Sequence, residues 1–315
     1  MLAEYVRTVE CRGFFAVKPK FEEITAMPLF RLPDGRDLEY EVSGPGTGEA
    51  VLFHHGMPGS AVPMPTVLDS ITERGFRVIT YSRAGYGASS PAPGRSVADS
   101  AADCVSLLAH LGIDGYLTVG WSTGGPHALA QAALAPENVS GVLSVASFAP
   151  FDAPGLDFVE GMGAQNVAQF GIAGQGEAAV RGLVAQMAAA VRDTSPADVV
   201  AGLSSLFSPV DAEILQGRFG AENAANMNHA LAGGDEGWVA DLLAVTRPWG
   251  VDVTAIKARV ELWHGSEDRM VPLSHGQWLA GRLPTVTPHL EAGHGHLSLA
   301  IGSLGAKLDA LTKEK

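Results

Sequence analysis

The stretch that most constrains the fold of this chain is a Gly-x-Ser-x-Gly turn between a strand pattern and a helix pattern. Tyr116 begins a β-branched, apolar run, and Ala-rich sequence typical of a helix follows Gly124. Side chains larger than hydrogen at Gly120 and Gly124 would collide with neighbouring backbone at so sharp a turn. The pattern therefore predicts Ser122 as an exposed nucleophile on a strained strand-to-helix turn.

Around this turn, strand and helix patterns alternate, which is typical of a mostly parallel sheet covered by helices. Strands are predicted over residues 28–32, 37–42, 50–54, 77–81, 116–119, 139–146, 259–263 and 285–290, and helices over 64–74, 96–111, 272–283 and 297–311. Pro288 lacks a backbone donor, so the last strand is expected at an edge. The predicted fold is a twisted α/β sheet of about eight strands.

The alternation is interrupted once, and this interruption defines the domain organisation. Residues 151–246 contain helix-prone, Ala- and Gly-rich sequence with no convincing strand. Since so long a segment is not a structureless loop in a compact domain, it is predicted to be an inserted helical cap; the alternative is a continuation of the core. The core then comprises residues 25–150 and 247–315, and residues 1–24 form an N-terminal arm.

Composition excludes several classes of function. The chain has 315 residues, of which 46% are hydrophobic and 17% charged, which is typical of a compact globular protein. A net charge of −13 argues against nucleic acid as a partner. With no signal peptide and no membrane-spanning run, we expect a cytoplasmic protein with a small-molecule substrate and no membrane contact. Cys11 and Cys104 form no disulfide framework, and composition leaves the oligomeric state open.

Three further loops that follow strands carry residues suited to acyl transfer, and such loops meet at one edge of a parallel sheet. The turn after the strand at 50–54 offers the Met57 N–H as one oxyanion donor, with the Thr123 N–H as the other. Residues 263–272 supply two carboxylates that could orient a histidine, and residues 291–298 supply two histidines that could activate the serine.

These motifs resemble those of the α/β-hydrolase superfamily from about residue 28 to residue 312. The matching segments are His55-Gly56-Met57-Pro58-Gly59, Gly120-Trp121-Ser122-Thr123-Gly124, Gly265-Ser266-Glu267-Asp268-Arg269-Met270-Val271-Pro272 and Gly295-His296-Leu297-Ser298. The resemblance implies the α/β-hydrolase fold and a triad of Ser122, Asp268 and His296, with His294 as the reserve base. One departure is Ser82, which stands where the family often has Asp, so a structural contact is in doubt there.

The expected function is therefore that of a serine hydrolase acting on a small, largely apolar carboxylic ester through an acyl-enzyme. Trp121 and three residues of the cap, Phe158, Met162 and Trp238, are predicted to line the pocket. No cofactor is expected. The His54-His55 and His294-His296 pairs raise the alternative of a metal site, but nearby residues that would complete one are lacking, so no metal is expected.

Two other functions remain open. An aminopeptidase resembling proline iminopeptidases would need carboxylates of the cap to hold a substrate ammonium, and the candidates are Asp157, Glu160, Asp235 and Glu236. A ligand receptor on a hydrolase scaffold would keep the same residues without turnover. Epoxide hydrolases and haloalkane dehalogenases are disfavoured because they resemble this chain with Asp at the position of Ser122, whereas perhydrolase side activity is compatible with the same triad.

Overall fold

A computed structural model describes residues 27–192 and 206–312 of the chain. The predicted arm at residues 1–24, Cys11 and the last three residues lie outside the described part. Within it, eight strands form one sheet: β1 (Leu29–Arg31), β2 (Asp37–Ser43), β3 (Ala50–His54), β4 (Arg77–Tyr81), β5 (Tyr116–Trp121), β6 (Val139–Val145), β7 (Arg259–Gly265) and β8 (Val286–Glu291). The predicted number of strands is confirmed.

The strands lie in the order β1-β2-β4-β3-β5-β6-β7-β8. Strands β3 to β8 pair in parallel, whereas β2 pairs antiparallel with both β1 and β4. Strand β5, which leads to Ser122, lies centrally between β3 and β6. Pro288 lies on β8 at the edge of the sheet, as predicted from its missing donor.

The described residues contain ten α-helices. They are α1 (Pro65–Thr72), α2 (Val97–His110), α3 (Gly124–Leu134), α4 (Ala164–Gly171), α5 (Glu177–Arg192), α6 (Pro209–Leu215), α7 (Arg218–Ala230), α8 (Glu236–Val245), α9 (Leu273–Ala280) and α10 (Leu304–Thr312). Successive residues of β3 face opposite sides, so Leu52 packs with α2 and α3 whereas Val51 and Phe53 pack with α1 and α10. Two hydrophobic cores thereby fix the central strands.

The five helices α4 to α8 all lie between β6 and β7, and the described residues of this inserted segment contain no strand. Helix α7 contacts α1, and α8 contacts α2, so the segment packs directly on the sheet-covering helices. The expected closing helix begins later than predicted, at Leu304 instead of near residue 297. Residues 297–303 form turns, and the regular helix is interrupted at Gly302, which has a φ of 71° and donates its N–H to the carbonyl oxygen of Thr66 at 2.9 Å.

Ser82, which stands where the family often has Asp, contacts a carboxylate from another strand. Its hydroxyl donates to Glu39 Oε2 at 2.6 Å and accepts the Ala61 N–H at 2.8 Å. Glu39 lies on β2, is 2% exposed, and also contacts His229 Nε2 of α7 at 3.0 Å. The neighbouring strand thus supplies a carboxylate beside Ser82 and links it to the inserted segment.

Candidate active site

The turn that bears Ser122 is strained, and glycines make it fit. Ser122 lies between the end of β5 and the start of α3 with a φ of 59°. A Cβ at Gly124 would overlap the carbonyl oxygen of His54, and one at Gly120 would overlap the carbonyl oxygen of Gly124. This geometry puts Ser122 at the floor of a cavity, where its side chain lines the wall.

A carboxylate meets an imidazole that lines the same cavity as this serine. His296 Nδ1 lies 2.8 Å from Asp268 Oδ2, and both side chains are buried. Asp268 Oδ1 accepts the N–H groups of Met270 at 2.9 Å and Val271 at 2.8 Å, which fixes the carboxylate. Since Asp268 accepts from Nδ1–H, Nε2 of His296 carries the free lone pair needed to take a proton from a hydroxyl.

The surroundings of His296 favour its protonated form. Burial alone would lower the pKa of His296, but the negative charge of Asp268, its hydrogen bond and the charge of Asp211 together raise that pKa above the ordinary value. His264 also faces this group, and its own pKa is lowered by burial. His264 donates from Nε2 to the carbonyl oxygen of Val271 at 2.7 Å, so it is tied to the backbone.

The turn after β3 lies against Ser122 from the other side. A Cβ at Gly56 would be 3.5 Å from Ser122 Cβ, and Met57 and Thr123 both line the cavity with the serine. Arg83, fully buried after β4, donates to the carbonyl oxygens of His55 at 2.7 Å and Gly56 at 3.0 Å. These bonds hold the turn from behind.

Arg83 is held in turn by Asp241 on α8. Their side chains are both 0% exposed and approach to 2.6 Å, and Arg95 Nη2 also contacts Asp241 at 2.5 Å. Burial by itself would raise the pKa of Asp241, but the two guanidinium groups lower it far below its usual range. One carboxylate of the inserted segment is therefore shared by two buried guanidinium groups, and one of these, Arg83, binds the turn that contains Gly56.

The cavity above Ser122 has a volume of about 540 Å³. Ser122, His296, Trp121 and Trp238 line it together with apolar side chains, among them Met57, Phe148, Phe170, Leu183 and Phe207. Its polar lining is neutral, with amide groups such as those of Gln169 and Asn226. Within residues 27–192 and 206–312, no Asp, Glu, Lys or Arg side chain lines this cavity.

Several expected site residues lie elsewhere. Phe158 and Met162 are not part of the cavity lining, because they belong to the core beneath it, where Phe158 stacks on Phe148 with centroids 5.5 Å apart. His294 is exposed, and its backbone carbonyl accepts the Glu267 N–H at 2.8 Å. The structure therefore brings His296, and not His294, to Asp268.

The carboxylates considered for binding an ammonium also lie outside the cavity lining. Among the four candidates, Glu236 pairs with Arg181 at 2.7 Å, and Asp157 caps its own turn by accepting the Val159 N–H at 3.2 Å. Glu160 and Asp235 are likewise absent from the lining.

The histidine pairs do not assemble into a metal site. His54 is fully buried between Tyr81 Oη at 2.7 Å and Thr118 Oγ1 at 2.9 Å. Across residues 27–192 and 206–312, no three His, Cys, Asp or Glu side chains are grouped so as to hold a metal ion. In the same part of the chain, no helix has the length and apolar character required to cross a membrane.

Sequence reasoning missed Asp211 and Asp241, which act at the site through the backbone or through another side chain. Asp241 lies within a helix of otherwise apolar residues, Trp238 to Val245. A single acid in such a run is a signal of a buried, paired carboxylate. Asp211 gave no comparable signal, because Ser208-Pro209-Val210-Asp211 is typical of an ordinary helix start.

Known proteins match this chain in part of its sequence and across its fold. The family model for the alpha/beta hydrolase fold matches residues 49–173. Over 100 residues the chain is 37% identical to a non-heme haloperoxidase from Rhodococcus erythropolis, covering 31% of this chain and 36% of that protein. Over 93 residues it is 34% identical to a bifunctional esterase/perhydrolase from Acinetobacter calcoaceticus, covering 29% of this chain and 34% of the relative.

These alignments span about a third of the length of the curated relatives. The likeness of fold extends further: a hydrolase from Pseudomonas aeruginosa PA01 superposes with a TM-score of 0.66 at 20% identity, covering 93% of this chain and 100% of that one. Together with the strand order and the turn at Ser122, these matches show that the chain has the α/β-hydrolase fold.

Proposed function

We propose that this chain is a serine hydrolase that cleaves small, uncharged, largely apolar carboxylic esters. The observation that carries the proposal is the 2.8 Å contact of His296 Nδ1 with Asp268, because His296 and Ser122 line the same cavity. A serine hydroxyl is a weak nucleophile until an oriented imidazole takes its proton, and this arrangement supplies one. The names of the relatives, which include an esterase, agree with this chemistry.

In the proposed reaction, Ser122 Oγ attacks the ester carbonyl while His296 Nε2 takes the hydroxyl proton. Met57 and Thr123 donate their N–H groups to the oxyanion that forms, and Asp268 stabilises the imidazolium. His296 then returns its proton to the leaving alkoxide, which departs as an alcohol. Water attacks the acyl-enzyme by the same route and releases the carboxylic acid.

We infer that residues 151–246 act as the cap that sets substrate range, with residues 25–150 and 247–315 forming the catalytic core. Trp238, Phe170 and Leu183 of this segment contribute to the cavity wall. An apolar, uncharged wall favours uncharged acyl or alcohol groups, because burying an unpaired charge there is costly. The same wall disfavours aminopeptidase activity, since in the described residues no carboxylate meets a substrate ammonium.

The proposal is tested with purified protein, a fluorophosphonate probe and a panel of substrates. We expect stoichiometric labelling and turnover of p-nitrophenyl esters, with kcat/KM rising from acetate towards butyrate or hexanoate as apolar contacts are added; each buried methylene contributes about 0.8 kcal/mol. Prolyl-p-nitroanilide is the matched probe for aminopeptidase activity and is expected to be a poor substrate. The absence of both labelling and ester turnover would reject the proposal. A preference for the anilide over every ester would identify a peptidase.

The activity should depend on pH through His296, which must be neutral to accept a proton. Because its pKa is raised, kcat/KM should be high at alkaline pH and fall as the pH drops through a value above the ordinary one of about 6.5. The measurement is kcat/KM for one neutral ester between pH 5 and 9. If kcat/KM fell only below the ordinary histidine pKa, the assignment of His296 as a base with a raised pKa would be contradicted.

A second activity is supported by the names of the relatives, a haloperoxidase and an esterase/perhydrolase. If hydrogen peroxide replaces water, it attacks the same acyl-enzyme, the Ser122–acyl bond breaks, and a peroxy acid leaves. The test adds hydrogen peroxide and a halide salt to the ester assay. A released peroxy acid oxidises the halide, and the oxidised halide is detected. Ester turnover with no peroxide-dependent product would exclude the second activity and leave the first.

A further inference from the structure

The turn that carries His296 is bound by a carboxylate from a distant part of the chain. Asp211, 0% exposed on helix α6, accepts three consecutive backbone N–H groups. Its Oδ2 accepts from His296 at 2.7 Å, and its Oδ1 accepts from Leu297 at 2.9 Å and Ser298 at 3.0 Å. Three N–H groups converging on one carboxylate form an anion-binding turn, and the charged acceptor strengthens each bond.

This use of Asp211 is not that of a helix cap. Ser208 is the N-cap of α6, but its side chain makes no capping hydrogen bond, and its Oγ has no partner within residues 27–192 and 206–312. In a capping box the acid three residues into the helix would turn back to its own N-terminus. Here the carboxylate instead crosses to the loop after β8.

The glycine before the histidine fits the same contact. A Cβ at Gly295 would overlap Asp211 Oδ2 and would lie 2.6 Å from both Asp211 Cγ and Ser208 Oγ. Any larger residue there would push the carboxylate away from the three N–H groups. The contact thus supplies a physical reason for glycine at this position.

The carbonyl side of His296 is held as well. Trp121 Nε1 donates to the His296 carbonyl oxygen at 3.3 Å, and the two rings lie 5.6 Å apart. We propose that Asp211 is a positioning residue that, opposite Trp121, fixes the backbone of His296 so that its imidazole meets both Asp268 and Ser122. This inference rests on the proposed function of His296 as the base.

The negative charge of Asp211 also affects the pKa of His296. The titratable groups that face His296 are Asp268 from the loop after β7, His264 from β7 and Asp211 from α6. Asp211 adds a second negative charge, which contributes to the raised pKa of His296. Removing that charge should therefore lower the pKa of the base, whereas a purely structural contact would leave it unchanged.

The test compares Asp211→Asn with Glu213→Gln, a matched acid-to-amide change at an exposed position of the same helix. Asn keeps one oxygen for Leu297 and Ser298 but sets an NH₂ against the His296 N–H, which breaks that bond. We expect Asp211→Asn to lower kcat about 10- to 100-fold, because small displacements of a catalytic group are costly, and to shift the acidic limb to lower pH. Glu213→Gln should behave as wild type.

Each result is normalised to active sites titrated with fluorophosphonate, so that loss of folded protein is not read as loss of kcat. The His296 pKa is also measured by NMR, its resonance being assigned from its absence in His296→Ala; this readout needs no substrate. An unchanged pKa and an unchanged kcat in Asp211→Asn would overturn the inference while wild-type turnover stands. Gly295→Ala, which displaces the carboxylate without removing its charge from the chain, should lower kcat in the same direction.

Discussion

Replacing His296 by alanine should reduce kcat/KM for esters by about 10⁴-fold or more, because no other group would take the proton of Ser122. His294→Ala should leave turnover unchanged, since that side chain is exposed and makes no contact with Asp268. The two variants differ by two positions in one loop, so they form a closely matched pair. The measurement is steady-state kinetics on the best ester of the panel.

Ser122→Ala should show a comparable loss and no labelling by fluorophosphonate. Effects of residues that work as one unit do not add, so the double variant Ser122→Ala, His296→Ala should be no slower than the worse single variant. If His294→Ala were inactive and His296→Ala active, the proposed base would be wrong. If Ser122→Ala, His296→Ala and the double variant all kept wild-type turnover, the chemistry would lie outside this cavity.

The second large effect concerns stability. Asp241→Ala should lower the free energy of unfolding by about 3–5 kcal/mol, because it leaves two buried guanidinium groups, those of Arg83 and Arg95, without their counter-charge. Urea denaturation followed by tryptophan fluorescence measures this loss. Asp241→Asn, which preserves volume but not charge, should be destabilised in the same direction.

The matched control is Glu236→Ala on the same helix. It breaks a half-exposed ion pair with Arg181, whose contribution is about 0–1 kcal/mol. Equal losses in Asp241→Ala and Glu236→Ala would contradict the account of a buried network. At low denaturant, where Asp241→Ala is still folded, its kcat should also fall. The reason is that Arg83 binds the carbonyl oxygens of His55 and Gly56 in the turn that carries Met57.

Much of the fold could be predicted because it depends on local patterns. The runs that became β3 and β5 are apolar almost throughout, as strands covered on both faces must be, and Pro288 signalled an edge. The turn at Ser122 could be predicted from its motif: Gly120 is required by the carbonyl oxygen of Gly124, four residues later, and Gly124 by the carbonyl oxygen of His54 on the neighbouring strand β3.

What could not be predicted depends on contacts between distant residues. The closing helix begins later than the composition of residues 297–303 predicts, because Gly302 has a φ of 71° and donates its N–H to the carbonyl oxygen of Thr66 and not to the preceding turn. Phe158 was expected in the pocket on its apolar character alone, but such character does not distinguish a wall from the core beneath it.

The placement of Asp211 and Asp241 has a consequence for engineering. Asp211 on α6 binds the turn that carries His296, and Asp241 on α8 binds Arg83 behind the turn that carries Met57, so the segment that shapes the cavity also supports the proposed catalytic groups. Exchanging residues 151–246 for the corresponding segment of another hydrolase should therefore abolish turnover unless both acids are grafted at their positions. Point substitutions at residues of the cavity wall, such as Leu183 and Phe207, should change substrate specificity while both carboxylates stay in place.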